Sequence, residues 1–151
     1  MCGQTVIALA MIAVAANAAE LSLEQATLTP GKPAILGMKL AAGTDAPTGI
    51  QFDLEYDGEN LDISIEAGPA ATQAGKSVQS RKIQPGKLRV LIIGFNRNAI
   101  SDGVLANIHV SYKGQELGKT FPIHVAASSG TNEKAERLTV TAKDGGVKVE
   151  P

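Results

Sequence analysis

The chain has 151 residues, enough for one domain with a sizeable hydrophobic core, and a formal net charge of −1. Because Lys and Arg are not in surplus, the composition argues against binding to nucleic acid or to an anionic membrane surface. Its 16 glycines and 7 prolines supply many turn signals, which is typical of a protein built from short strands.

In chain order, the first predicted element is a secretory signal peptide over residues 1–18. Residues 5–16 form an uncharged apolar segment that is too short to cross a bilayer, and residues 16–18 have the small-x-small pattern of a cleavage site. A buried N-terminal helix or strand is the alternative, since neither Lys nor Arg precedes the apolar segment. Cleavage would remove Cys2, the only cysteine, so we expect a secreted, periplasmic or cell-surface domain over residues 19–151 that has no disulfide.

After residue 18, apolar and polar residues alternate with period two, and Gly, Pro and Asp separate the alternating segments. We predict strands over residues 21–26, 34–41, 49–56, 61–66, 78–83, 87–95, 104–113, 118–126, 137–143 and 147–149. About nine strands at roughly ten-residue spacing favour an all-β, two-sheet sandwich. Residues 68–79 are predicted to form a loop that leads into a short, charged edge strand.

The strand predicted over residues 87–95 carries branched aliphatic side chains at both parities. Alternation puts Leu88, Val90 and Ile92 on one side and Arg89, Leu91 and Ile93 on the other. A strand of a sandwich has one core face, so some of these apolar side chains must lie on the outer face. Each would contribute roughly 1.5–3 kcal/mol if a partner buried it.

We therefore predict that an apolar stripe on this outer face binds another protein, with polar residues of a neighbouring strand as its rim. The partner-binding residues that we predict are Gln51, Asp53, Val90, Ile92 and Phe95. The alternative is that the chain covers this face itself, through the loop over residues 68–79.

Five segments, in their order and spacing, resemble a cohesin module across the whole chain after residue 18. They are GIQFDLEYD at 49–57, LDI at 61–63, KLRVLIIG at 87–94, DGVLANI at 102–108 and DGGVKV at 144–149. The resemblance implies a nine-stranded jelly-roll sandwich, related to some carbohydrate-binding modules, in which one sheet face docks a dockerin, a small helical calcium-binding module. On the family pattern, that sheet comprises the strands over residues 49–56, 78–83, 87–95 and 118–125.

The resemblance also implies where contacts differ from those of cellulosomal cohesins. Cohesins of that type carry Asn and Asp on the polar side of the third strand, and this chain has Gly49 and Gln51 at the matching positions. An acidic residue that often follows the central strand is matched by Phe95, whereas a central aliphatic contact is kept as Ile92.

The sequence favours a binding role over catalysis. His109 and His124 are predicted to be surface residues, because neither has a second His or a Cys at metal-ligand spacing, and the chain has no Gly-x-Ser-x-Gly motif. Only Phe95 is expected to expose an aromatic ring, which makes a poor platform for a polysaccharide. We therefore expect no enzyme activity, cofactor or metal, and two alternatives stay open: a carbohydrate-binding module, or a passive envelope or matrix domain.

Overall fold

The computed structural model describes residues 19–151 as eleven strands and one short helix. The strands are β1 Ala19–Leu23, β2 Gln25–Leu28, β3 Ala34–Ala41, β4 Gly49–Glu55, β5 Leu61–Ala67, β6 Ser77–Gln84, β7 Lys87–Ile93, β8 Gly103–Tyr112, β9 Thr120–Thr131, β10 Arg137–Lys143 and β11 Gly145–Val149. The helix, α1, covers Pro69–Gln73. The predicted signal peptide over residues 1–18 lies outside the described residues.

Nine strands follow one another in the order β5-β8-β3-β1-β10-β9-β4-β7-β6, and the two short strands β2 and β11 extend this path. The pairs β1–β10 and β2–β11 are parallel, and the other pairs are antiparallel. Two sheets result, and they join along one side where β10 pairs with the last residues of β9. The predicted all-β, two-sheet architecture is confirmed, with one side closed so that the sandwich approaches a barrel.

The pairing of β4 with β7 shows how alternation builds the core. Three cross-strand pairs share the inner face: Ile50 with Ile92, Phe52 with Val90, and Leu54 with Leu88. All six side chains are buried, and they belong to one core cluster with apolar residues of the opposite sheet. A slip of one residue would turn an entire strand's apolar set outward, so burial determines the register.

The region predicted to be a loop over residues 68–79 contains the helix α1. Ala70, Ala71 and Ala74 are buried in the core, and α1 packs against β8. Gly68 is required immediately before the helix, because a Cβ at that position would meet the carbonyl group of Val104. With only five residues, α1 is too short to show a helical period in the sequence.

Candidate protein-binding face

The outer side of β9, β4, β7 and β6, which we call the four-strand face, is one continuous surface. These are the four strands that the cohesin resemblance assigned to one sheet. Cross-strand pairing sets their outward side chains in rows: Thr131, Gly49, Ile93 and Ser77; then Ser129, Gln51, Leu91 and Gln79; then Ala126, Asp53, Arg89 and Arg81.

An apolar stripe runs along β7 on this face. Leu91 is half-buried, Ile93 is 42% exposed, and the Phe95 ring, two residues beyond the end of β7's ladder, is fully exposed. Leu91 and Ile93 also line a shallow depression that reaches across to the hairpin between β9 and β10. We call Leu91, Ile93 and Phe95 the apolar stripe.

Within residues 19–151, nothing covers Ile93 and Phe95 of the apolar stripe. The alanines of α1 point into the core, and residues 77–84 form β6, which pairs beside β7 rather than over it. The alternative that the segment over residues 68–79 seals this face is therefore wrong. The small side chains of this segment pack in the core of the sandwich instead.

The structure corrects the placement of two predicted contact residues. Val90 and Ile92 are 0% exposed and point into the core, so neither is available to a partner. The residues of β7 that face outward are Arg89, Leu91 and Ile93. The sequence signal for this orientation is Arg89, because a charged residue in a half-buried strand marks the parity that faces solvent.

Asp53 is also on the four-strand face, yet it is only 1% exposed because Arg89 lies over it. The Arg89 Nε donates to Asp53 Oδ1 at 3.0 Å and Nη2 donates to Oδ2 at 3.2 Å, while Lys87 Nζ lies 4.0 Å from Oδ2. The hydrogen bond to Asp53 raises the pKa of Arg89. A partner would therefore meet the guanidinium of Arg89, and the predicted contact with the Asp53 carboxylate is corrected.

The other two predicted residues are accessible. Gln51 is half-buried in the middle of the four-strand face, opposite Leu91 on β7 and Ser129 on β9. Phe95 stands at the end of the stripe with its ring free of the core. Whether these side chains contact a partner stays a prediction.

Hydrogen bonds hold the loop that carries Phe95. Lys76 Nζ is buried and donates to the Asn96 carbonyl at 3.1 Å and to Asn96 Oδ1 at 2.6 Å. Asn96 Nδ2 donates to the Gly75 carbonyl at 3.3 Å, and Asn98 Nδ2 donates to the Ala74 carbonyl at 3.2 Å. Burial lowers the pKa of Lys76.

Each histidine pairs with one carboxylate. His124 Nδ1 lies 2.7 Å from Asp144 Oδ2, and His109 Nε2 lies 2.8 Å from Glu66 Oε1. The hydrogen bond to Asp144 raises the pKa of His124, and the same bond lowers the pKa of Asp144. Within residues 19–151, no three His, Cys, Asp or Glu side chains converge in a way that could hold a metal ion.

In the acidic turn after β4, the carboxylate of Asp57 accepts hydrogen bonds from within the turn. Asp57 Oδ1 accepts from the backbone N–H groups of Glu59 and Asn60, and Oδ2 accepts from Asn60 Nδ2 at 2.8 Å. These bonds, led by the side-chain bond from Asn60, lower the pKa of Asp57. The arrangement is a turn closed by an Asp side chain.

No helix among the described residues is both long enough and apolar enough to cross a membrane.

Comparison with known proteins places these observations in a family. The model of the cohesin domain matches residues 19–149. A search of curated proteins finds no match.

Solved structures of cohesins share the fold. The sixth cohesin of scaffoldin B from Acetivibrio cellulolyticus, solved in complex with a dockerin, has a TM-score of 0.77 and 22% identity, covering 88% of this chain and 99% of that chain. A Clostridium thermocellum cohesin, also solved with a dockerin, has a TM-score of 0.76 and 19% identity, covering 88% and 99%. A non-cellulosomal cohesin from the archaeon Archaeoglobus fulgidus has a TM-score of 0.72 and 12% identity, covering 89% and 92%.

These matches confirm the jelly-roll sandwich that the resemblance implied. Cohesin domains are non-catalytic binding modules of extracellular or cell-surface proteins, so the predicted binding role, without catalysis, is confirmed at the level of the family. The chain belongs to the cohesin family.

Proposed function

We propose that this cohesin is exported by the signal over residues 1–18 and docks a dockerin-like helical module on the four-strand face. The observation that carries the proposal is the apolar stripe of Leu91, Ile93 and Phe95, of which Ile93 and Phe95 are exposed in the part of the chain that the structure describes. Cohesins of the same fold have been solved in complex with dockerins, which supports a partner of this kind.

The four-strand face has the composition of a protein interface. Ile93 and Phe95 would serve as anchors, since large apolar side chains at the centre of an interface supply most of the binding energy. Gln51, Ser129 and Thr131 surround them with groups that can donate and accept hydrogen bonds. An interface of standard size buries roughly 1,200–2,000 Å² in total.

The test is calorimetric titration of the protein with recombinant, calcium-loaded dockerin modules encoded in the same genome. Ile93→Asp and Phe95→Asp should each weaken binding roughly 30-fold or more, as expected for loss of about 2 kcal/mol at an anchor. Ile35→Asp is the matched control, because Ile35 is 56% exposed on β3, in the other sheet. That variant should bind as the unsubstituted protein does.

Three outcomes would contradict the proposal. One is that none of the dockerin modules binds. Another is that Ile35→Asp weakens binding as much as Ile93→Asp does. The third is that the protein binds plant or cell-wall polysaccharides in place of dockerins and loses that binding with Phe95→Ala, which would favour the carbohydrate-binding alternative.

A further inference from the structure

The four-strand face is more positive than the rest of the molecule. Four cationic side chains stand on it or at its border: Arg81, Lys87, Arg89 and Arg137. Two carboxylates, Asp53 and Glu55, share the face with them, and a third, Asp144, lies at its border beside His124. The chain as a whole has a formal net charge of −1, so positive charge is concentrated on the surface proposed for docking.

Both carboxylates of the face already have cationic neighbours. Asp53 is buried beneath Arg89 and within 4.0 Å of Lys87. Glu55 lies in register between Lys87 on β7 and His124 on β9, and its charge contributes to the raised pKa of His124. Asp53 is therefore not free to attract a basic group on a partner. Glu55 forms no ion pair within residues 19–151, and it lies at the end of the face remote from Ile93.

Arg81 and Arg137 are different, because neither forms an ion pair with any residue of the described range. Both side chains are exposed. Arg81 lies on β6, at one edge of the sheet, in the row next to that of Leu91. Arg137 lines the depression that also contains Leu91 and Ile93. The two guanidinium groups therefore flank the apolar stripe from opposite sides.

Two carboxylates at the hairpin between β9 and β10, Glu136 and Asp45, are hydrogen-bonded to Asn132. Asn132 Nδ2 donates to Glu136 Oε1 at 3.3 Å and to Asp45 Oδ2 at 3.0 Å. Neither acid lines the depression, and neither forms an ion pair with Arg137. Arg137 therefore stays available to a partner.

We infer that the partner of this cohesin presents an apolar anchor flanked by acidic side chains, which pair with Arg81 and Arg137. This inference rests on the proposed function, because it describes the partner of the same face. Arginine suits the role, since its planar guanidinium binds carboxylates through two hydrogen bonds. Uncompensated charges at the rim of an interface mainly raise the rate of association and select against partners of like charge.

The test uses two sets of recombinant, calcium-loaded dockerin modules from the same genome, one with acidic and one with basic exposed helical faces. Association and dissociation rates are measured by surface plasmon resonance at low and high salt. The variant is Arg81→Glu combined with Arg137→Glu. The charge-matched control combines Lys32→Glu and Lys39→Glu, two exposed lysines, one in the turn before β3 and one on β3.

We expect acidic dockerins to bind the unsubstituted protein, and the double arginine variant to lower their association rate roughly tenfold or more at low salt. The difference should shrink at high salt, where exposed charges are screened. The lysine control should change the rate much less than the arginine variant does.

Three results would overturn the inference. If dockerins bind but the arginine variant binds acidic ones as fast as the unsubstituted protein, the inference fails and the proposed function stands. If only basic dockerins bind, the inference again fails alone. If no dockerin of either set binds, both the inference and the proposed function fail.

Discussion

Replacing Arg89 with leucine tests how strongly the four-strand face depends on its central ion pair. Asp53 is 1% exposed, and Arg89 supplies two of its hydrogen bonds at 3.0 and 3.2 Å. Arg89→Leu would leave a buried carboxylate whose closest remaining cation, Lys87, is 4.0 Å away. Arg89 would then no longer offset the cost of burying the Asp53 carboxylate.

Removing one partner of a buried pair typically costs about 3–5 kcal/mol. The Arg89 side chain is itself 42% exposed, and Lys87 is close enough to compensate in part, so we expect a loss of about 2–4 kcal/mol here. A loss in the middle of that range corresponds to a fall in Tm of roughly 10 °C for a domain of this size. The free energy of unfolding is to be measured by urea titration.

The double variant Asp53→Val with Arg89→Leu separates a lost ion pair from lost packing. With both partners gone, no charge is left unpaired, and valine is well suited to a strand. We expect the double variant to regain most of the stability that Arg89→Leu loses. A double variant as unstable as the single one would refute the reasoning, as would a single variant that loses less than about 1 kcal/mol.

Two further predictions concern pH and backbone conformation. The raised pKa of His124 and the lowered pKa of Asp144 mean that their pair stabilises the fold between about pH 4 and pH 6.5, and this contribution is lost as pH rises through the raised pKa or falls through the lowered one. His124→Gln should therefore reduce the free energy of unfolding most near pH 5 and least above pH 8. An equal reduction at both pH values would contradict the pairing. Gly86 has a φ of +79°, and a Cβ there would meet the Tyr56 carbonyl oxygen. Gly86→Ala should therefore lower the free energy of unfolding by about 1–3 kcal/mol, measured by thermal unfolding, and an unchanged Tm would refute the clash.

Local pattern was sufficient to predict much of the fold. The predicted strands over 34–41 and 137–143 coincide with β3 and β10, because Pro, Gly or charged residues bound an alternating run at both ends. The predicted strand over 118–126 is shorter than β9, which continues to Thr131 through a bulge near Ala127, a residue with a φ of +50°. An irregularity of that kind depends on the partner strands β4 and β10 and has no clear sign in the sequence.

The binding face was harder to predict, since both errors there come from contacts between strands. Both parities of β7 carry aliphatic side chains, so the charged Arg89 marks the outer parity, and the pairing with β4 places Val90 and Ile92 inside. Asp53 was expected to be accessible because polar parity indicates the outer face. Its burial requires Arg89 on the neighbouring strand, a contact between residues 36 positions apart.

The loop that carries Phe95 presents a large apolar ring to water from a hydrogen-bonded backbone. Four hydrogen bonds tie this loop to the turn after α1, two of them donated by the buried ammonium group of Lys76. Burying that charge beside amide and carbonyl oxygens has a cost, which the lowered pKa of Lys76 reflects. The benefit is that a loop already held by hydrogen bonds loses little backbone conformational entropy when a partner covers it. If Phe95 contacts a partner as proposed, Lys76 would support that contact by holding the loop, although Lys76 itself is buried.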